Sequence, residues 1–222
     1  MSHPSDSAVP ARWLDRATAP HIVTLVLITG IGALYMNIFL PSLPWSAEFF
    51  EAEYAVVQLT ISAYLGVTAL LQIIVGPLSD RYGRRPVLLG ALGVFLVATV
   101  GCLLAPTIEI FLAFRFLQAA VATSLALSRA IVRDMVPPDE AASMLGYVTM
   151  GMTLVPMLGP VIGGLLEEAF GWQSTLWLLL AEGLAVLLLV WSDLGETNRP
   201  PTASFGAQFR AYPELLRAPR FW

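Results

Sequence analysis

Six long apolar runs alternate with short polar connections along this chain. They cover Ile22–Leu43, Val56–Leu78, Pro86–Leu104, Ile108–Val132, Ala142–Leu166 and Trp172–Trp191. Each is close to the roughly 20 residues a helix needs to cross a hydrocarbon core about 30 Å thick. None shows the period-two alternation of a barrel strand, and each is about twice a barrel strand's length. A backbone in lipid must satisfy its own hydrogen bonds, so helix is the state predicted for all six.

The polar connections carry a second pattern. Arg12 and Arg16 precede the first run, Arg81, Arg84 and Arg85 fill the connection after the second, and Arg129 and Arg133 close the fourth. Arg199, Arg210, Arg217 and Arg220 follow the sixth. The alternate connections hold no cation, only Glu48, Glu51, Glu53, Glu109, Glu167 and Glu168. Cytoplasmic loops collect arginine, so both termini are expected in the cytoplasm of a multi-pass protein of the bacterial inner membrane.

Three regions follow: a cytoplasmic tail at 1–20, a six-helix bundle at 21–195, and a cytoplasmic linker at 196–222. The first apolar run exceeds the about 7–15 residues of a signal-peptide core, so it is expected to stay in the membrane. In the linker, Phe205, Phe209, Tyr212 and Leu216 recur at helical spacing, which suits a helix lying along the interface. Arg220-Phe221-Trp222 reads as the start of a seventh span, so the chain is expected to be truncated.

Composition narrows the functional classes. The chain is 57% hydrophobic and 13% charged, with a mean hydropathy of +0.72; soluble domains average about 25% charged residues. Membrane lipid is therefore its expected surroundings, and nucleic acid is not an expected partner. The lone Cys102 and the two histidines, His3 and His21, offer no metal site or disulfide framework, and no cofactor is expected. A six-span membrane enzyme is disfavoured: no histidine lies beyond His21, and neither paired intramembrane aspartates nor a Gly-x-Ser-x-Gly elbow is present.

The connection after the second span reads Gly76-Pro-Leu-Ser-Asp-Arg-Tyr-Gly-Arg-Arg-Pro86. Gly76 permits close helix approach, Gly83 suits a tight turn, and Pro86 suits the first turn of the next helix. Asp80 sits where the second span emerges, within reach of Arg84 or Arg133. A plain basic loop that only sets topology would not need these residues in this order. The string resembles the signature of the major facilitator superfamily, G-x-L-x-D-R-x-G-R-[KR], at Gly76, Leu78, Asp80, Arg81, Gly83, Arg84 and Arg85. The resemblance implies an all-α membrane fold, this chain being the N-terminal six-helix bundle of a transporter. It also implies that Asp80 and Arg84 form a charge relay latching the cytoplasmic gate.

Further strings extend the resemblance. Arg115-Phe-Leu-Gln-Ala119 is similar to the family's R-x-x-Q-G, with Ala119 in place of the glycine. An Arg within a span costs about 2.5–3.5 kcal/mol on insertion scales, relieved in part if it snorkels. Arg115 is thus a proton-coupling candidate by resemblance or, alternatively, a structural hydrogen-bond donor, with Gln118 on the same helix face. In the fifth span Gly151, Val155, Gly159 and Gly163 form a smooth stripe, while Pro156 and Pro160 bend the helix. The string Gly151 to Gly164, ending Gly159-Pro160-Val-Ile-Gly163-Gly164, resembles the motif marking the antiporter branch. It implies export driven by the proton gradient.

Tyr35-Met-Asn-Ile-Phe-Leu-Pro-Ser-Leu-Pro44 and Gln58-Leu-Thr-Ile-Ser-Ala-Tyr-Leu65 resemble Bcr/CflA-type drug-resistance exporters. Many of these hold an Asp at the position of Asn37; an Asn cannot release a proton, which leaves it to hydrogen-bond substrate. Glu182 lies near mid-membrane in the sixth span, either as a proton site or cation contact, or as a neutral group bonded to a neighbouring helix. Tyr35, Phe39, Tyr64, Gln72 and Gln118 are candidates to line a cavity for a lipophilic small-molecule substrate. In this fold substrate binds between two six-helix bundles, so a C-terminal bundle is the expected partner. A self-contained six-helix transporter acting as a dimer is the alternative.

Overall fold

The computed structural model describes residues 13–16, 18, 20–135 and 138–198. The first twelve residues and 199–222, including the predicted Phe205–Leu216 face and the start of a seventh span, lie outside the described residues. Every regular element among the described residues is helical.

Helix α1 (Ile22–Ile38) begins at His21, whose Nδ1 accepts the Val23 N–H at 3.3 Å. It stops five residues short of the predicted Leu43. Leu40 precedes a proline and is steered away from helical geometry, and Pro41 has no N–H to continue the ladder. The chain resumes as α2 (Leu43–Phe49), and the pair is bent by 60°. Helix α3 (Tyr54–Tyr82) and helix α4 (Arg84–Leu104) follow, separated only by Gly83. The predicted span ended at Leu78, with a loop beyond; instead the helix outruns the hydrocarbon segment, and most of the signature string is helical. Pro86 falls in the first turn of α4, where its missing N–H breaks no helical bond.

The fourth crossing is interrupted. Helix α5 (Ile108–Gln118) passes through a 3₁₀ turn (Ala119–Ala122) into α6 (Thr123–Met135). The Ala119 N–H turns to the Phe116 and Leu117 carbonyls. That leaves the Arg115 carbonyl to accept the Tyr35 hydroxyl at 3.0 Å. A side chain from α1 thus takes the place of a backbone bond. Helix α7 (Pro138–Phe170) contains Pro156 and Pro160, and Gly171, at φ 83, turns the chain into α8 (Gln173–Asp193). Glu167 and Glu168, expected in a connection, belong to α7. Five of these crossings are long and apolar enough to span a membrane, and the bent α1–α2 pair makes a sixth.

Helix α1 is the centre of the bundle. Leu25, Ile28, Ile31, Tyr35 and Ile38 are wholly buried among residues of α4 (Leu88, Leu92, Phe95), α6 (Leu127, Ile131) and α8 (Leu176, Leu179). Its broadest contact is with α7, along the predicted glycine stripe. A Cβ on Gly151 would meet Val26, one on Gly159 would meet Asn37, and one on Gly163 would lie 2.3 Å from the Ile38 carbonyl oxygen. Numbers rise together on both sides, so α1 and α7 run parallel at backbone-to-backbone distance. By contrast, α3 exposes Leu59, Leu65, Leu70 and Ile73, and α7 exposes Met150, Leu154, Met157 and Val161. Apolar surface on this scale is stable against lipid or another apolar bundle, not against water.

Candidate functional site

Two polar clusters interrupt this apolar architecture. The first joins the ends of α3, α4, α6 and α8. Gly83 adopts φ 97, and a Cβ there would also fall 2.3 Å from Glu196 Oε2, so both backbone and space call for glycine. Arg84, only 9% exposed, ion-pairs with Asp80 at 2.6 Å and with Asp134 of α6 at 3.0 Å, and also donates to the Ser79 hydroxyl. One guanidinium therefore fastens three crossings. Its planar fork suits two carboxylates at once, where an ammonium could not hold the same geometry.

The segment after α8 closes over this cluster. Glu196 accepts the backbone N–H groups of Arg84 at 2.8 Å and Arg85 at 3.3 Å, supplying the acceptor that Gly83 cannot give to the start of α4. Asn198 donates to the carbonyls of Asp80 at 2.7 Å and Ser79 at 3.3 Å, at the end of α3. Beside the ion pairs lies a cleft of ≈ 240 Å³ lined by Gln72, Gly76, Asp80, Arg84 and Arg133. Arg81 points to Tyr82, with its Cζ 5.4 Å from the ring centre. Asp134, Glu196 and Asn198 join this site from outside the signature string. For Asp134 the sequence does carry one signal, its adjacency to Arg133 at the end of the fourth crossing.

The second cluster surrounds Arg115, which is 3% exposed and turns into the bundle instead of snorkelling outward. Its Nη1 donates to Gln118 Oε1 at 3.0 Å, and its Cζ lies 4.4 Å from the Tyr35 ring centre and 4.1 Å from that of Phe39. Gln118 Nε2 donates to Thr99 at 2.7 Å, and Cys102 also approaches Gln118 Oε1. No described carboxylate is ion-paired with Arg115, and its Nε is buried without a hydrogen-bond partner. Aromatic faces and a neutral amide thus solvate this charge.

The cavity candidates divide. Tyr35, Phe39, Tyr64 and Gln118 are buried in the bundle rather than lining an open wall, because the rings and amide are drawn onto Arg115 and α4. Gln72 is exposed and Asn37 is half-buried, its amide donating to the Ala33 carbonyl of its own helix at 2.7 Å. Glu182 is half-buried on α8 with Oε2 enclosed and unpartnered, and it forms no bond to a neighbouring helix there. At the opposite end, Glu167 is 8% exposed and accepts the Ser42 hydroxyl at 2.9 Å, tying α7 to the break between α1 and α2. No group of His, Cys, Asp and Glu suited to a metal occurs among the described residues.

Residues 25–222 match the sequence profile of the Major Facilitator Superfamily. The chloramphenicol resistance protein of Pseudomonas aeruginosa is 32% identical over 194 residues, covering 86% of this chain and 46% of the relative. The multidrug resistance protein MdtL of Escherichia coli is 36% identical over 183 residues, covering 81% of this chain and 46% of the relative. The chain thus spans about half the length of the curated relatives it matches. Among solved structures, a peptide transporter, POT, matches 95% of this chain and 46% of its own, with a TM-score of 0.73 at 16% identity, a likeness of fold. With the profile covering nearly all six crossings and two drug-resistance relatives above 30% identity, the chain belongs to the Major Facilitator Superfamily of membrane transporters.

Proposed function

We propose that this chain forms the N-terminal half of a proton-coupled exporter of lipophilic drugs, similar to Bcr/CflA-type proteins, working by alternating access in the bacterial inner membrane. The observation that carries the reading is the Arg84 ion-pair cluster, which joins α3, α4 and α6 at one end of the bundle. Charges fastening crossings at a single end hold those helix ends in one arrangement and can be broken without disturbing the apolar packing at the other. With the arginine-bearing end in the cytoplasm, this is a cytoplasmic latch. The names of the drug-resistance relatives favour drugs as the substrate class, and the glycine contact of α7 with α1 supports assignment to the antiporter branch. A second six-helix bundle completes the cavity.

The test uses a full-length gene carrying this half. Asp80→Asn is expected to reduce drug efflux at least about tenfold, equivalent to about 1.4 kcal/mol, with unchanged membrane abundance. Normal efflux from that variant would remove the latch. Loss of the resistance phenotype on adding an uncoupler is the second expected result; uncoupler-resistant efflux would remove proton coupling.

A further inference from the structure

We propose that the arginine-bearing end of α8 is a binding site for one anionic phospholipid, its phosphate held by Arg16 and Arg85 and its acyl chain lying along α8. Trp177, Leu184, Leu188 and Trp191 are all exposed and recur at seven, four and three residues, so they form one continuous face of the helix. From Trp191 back to Leu184 that face runs about 10 Å, within the roughly 15 Å depth that one leaflet's acyl chain covers, and Trp191 marks its outer end as at a membrane interface.

Two cations meet at its Trp191 end. Arg16 Cζ lies 5.5 Å and Arg85 Cζ 5.3 Å from the centre of the Trp191 ring, and Arg85 also donates to the Trp191 carbonyl at 3.1 Å. They come from distant parts of the chain, one before α1 and one in the first turn of α4. Two acids at this end are engaged elsewhere. Asp193 accepts the N–H groups of Leu14 at 2.6 Å and His21 at 3.0 Å and the Thr24 hydroxyl at 2.5 Å. Glu196 accepts the N–H groups of Arg84, Arg85 and Asn198. Neither Arg16 nor Arg85 is ion-paired among the described residues, and the Arg85 Nε is enclosed without a hydrogen-bond partner. Exposed Trp13 and Leu14 extend the apolar rim. Two guanidiniums without an ion pair among the described residues, above a greasy strip, match the two parts of a lipid: a phosphodiester and its chain.

The experiment is native mass spectrometry, in a neutral detergent, of a full-length protein carrying this half, titrated with phosphatidylglycerol or phosphatidylcholine. One phosphatidylglycerol is expected to be retained in preference to phosphatidylcholine. Arg16→Gln is expected to reduce its retention about fivefold, and Arg85→Gln by a similar factor. Equal retention of the two lipids, or phosphatidylglycerol retention unaltered by Arg16→Gln, would overturn the proposal. Should Arg85→Gln fail to fold, Arg16→Gln still decides, because Arg16 lies exposed before α1. Displacement of phosphatidylglycerol by millimolar inorganic phosphate would assign the guanidiniums to a soluble anion and sink the lipid reading.

Discussion

Arg115 keeps a full charge inside the bundle with two aromatic faces and one amide as its company. Cation–π contacts of this kind contribute about 0.5–2 kcal/mol each, which offsets part of the burial cost but leaves the group able to attract a nearby anion or carboxylate. In a full-length protein, Arg115→Ala is expected to impair proton-driven drug exchange in vesicles at least about tenfold. Normal exchange with only a lower melting temperature would identify a structural arginine. Glu182, with an enclosed oxygen lacking any partner, is expected to contribute to proton coupling. Glu182→Gln therefore alters the pH profile of efflux, and an unchanged profile would exclude it. At this scale the sequence was legible where partners are local: Asp80 and Arg84 are four apart on the chain and do pair. Asp134, fifty positions from Arg84, was not, because residue type carries no record of what a distant helix presents.

Between elements, the α1–α7 contact depends on the absence of side chains. Gly163→Ala places a methyl 2.3 Å from the Ile38 carbonyl oxygen, an overlap only backbone movement can relieve. Its expected effect is a destabilisation of about 1–3 kcal/mol, read as a lower midpoint in a thermal scan in detergent. Gly164→Ala meets nothing within 4 Å and is expected to match the parent, so equal midpoints for both variants would refute the close packing. All six crossings were visible in hydropathy alone, because exclusion of water from a spanning segment acts on its whole length. Their ends were not: α3 and α7 continue beyond the apolar runs, since a helix is limited by backbone chemistry and not by the edge of the hydrocarbon. The reverse error at Pro41 has the same root, an apolar run that the backbone could not follow as one straight helix.

For the molecule as a whole, the division between an arginine-bearing and an acidic end determines which face opens to which compartment. Cys102 is buried, so it provides a quiet background for single engineered thiols. A membrane-impermeant maleimide applied to intact cells is expected to label Phe49→Cys and spare Tyr82→Cys, both positions being exposed. Labelling of Tyr82→Cys would invert the orientation and with it the gate assignment. The same end sets the practical limit for shortening the protein. Asp193, with no exposed surface, gathers Leu14, His21 and Thr24, so the stretch ahead of the first helix is wired to the last turn of the sixth crossing. Trimming past Leu14 strips a donor from an entombed carboxylate, whereas an affinity tag fused ahead of Trp13 leaves all three donors in place.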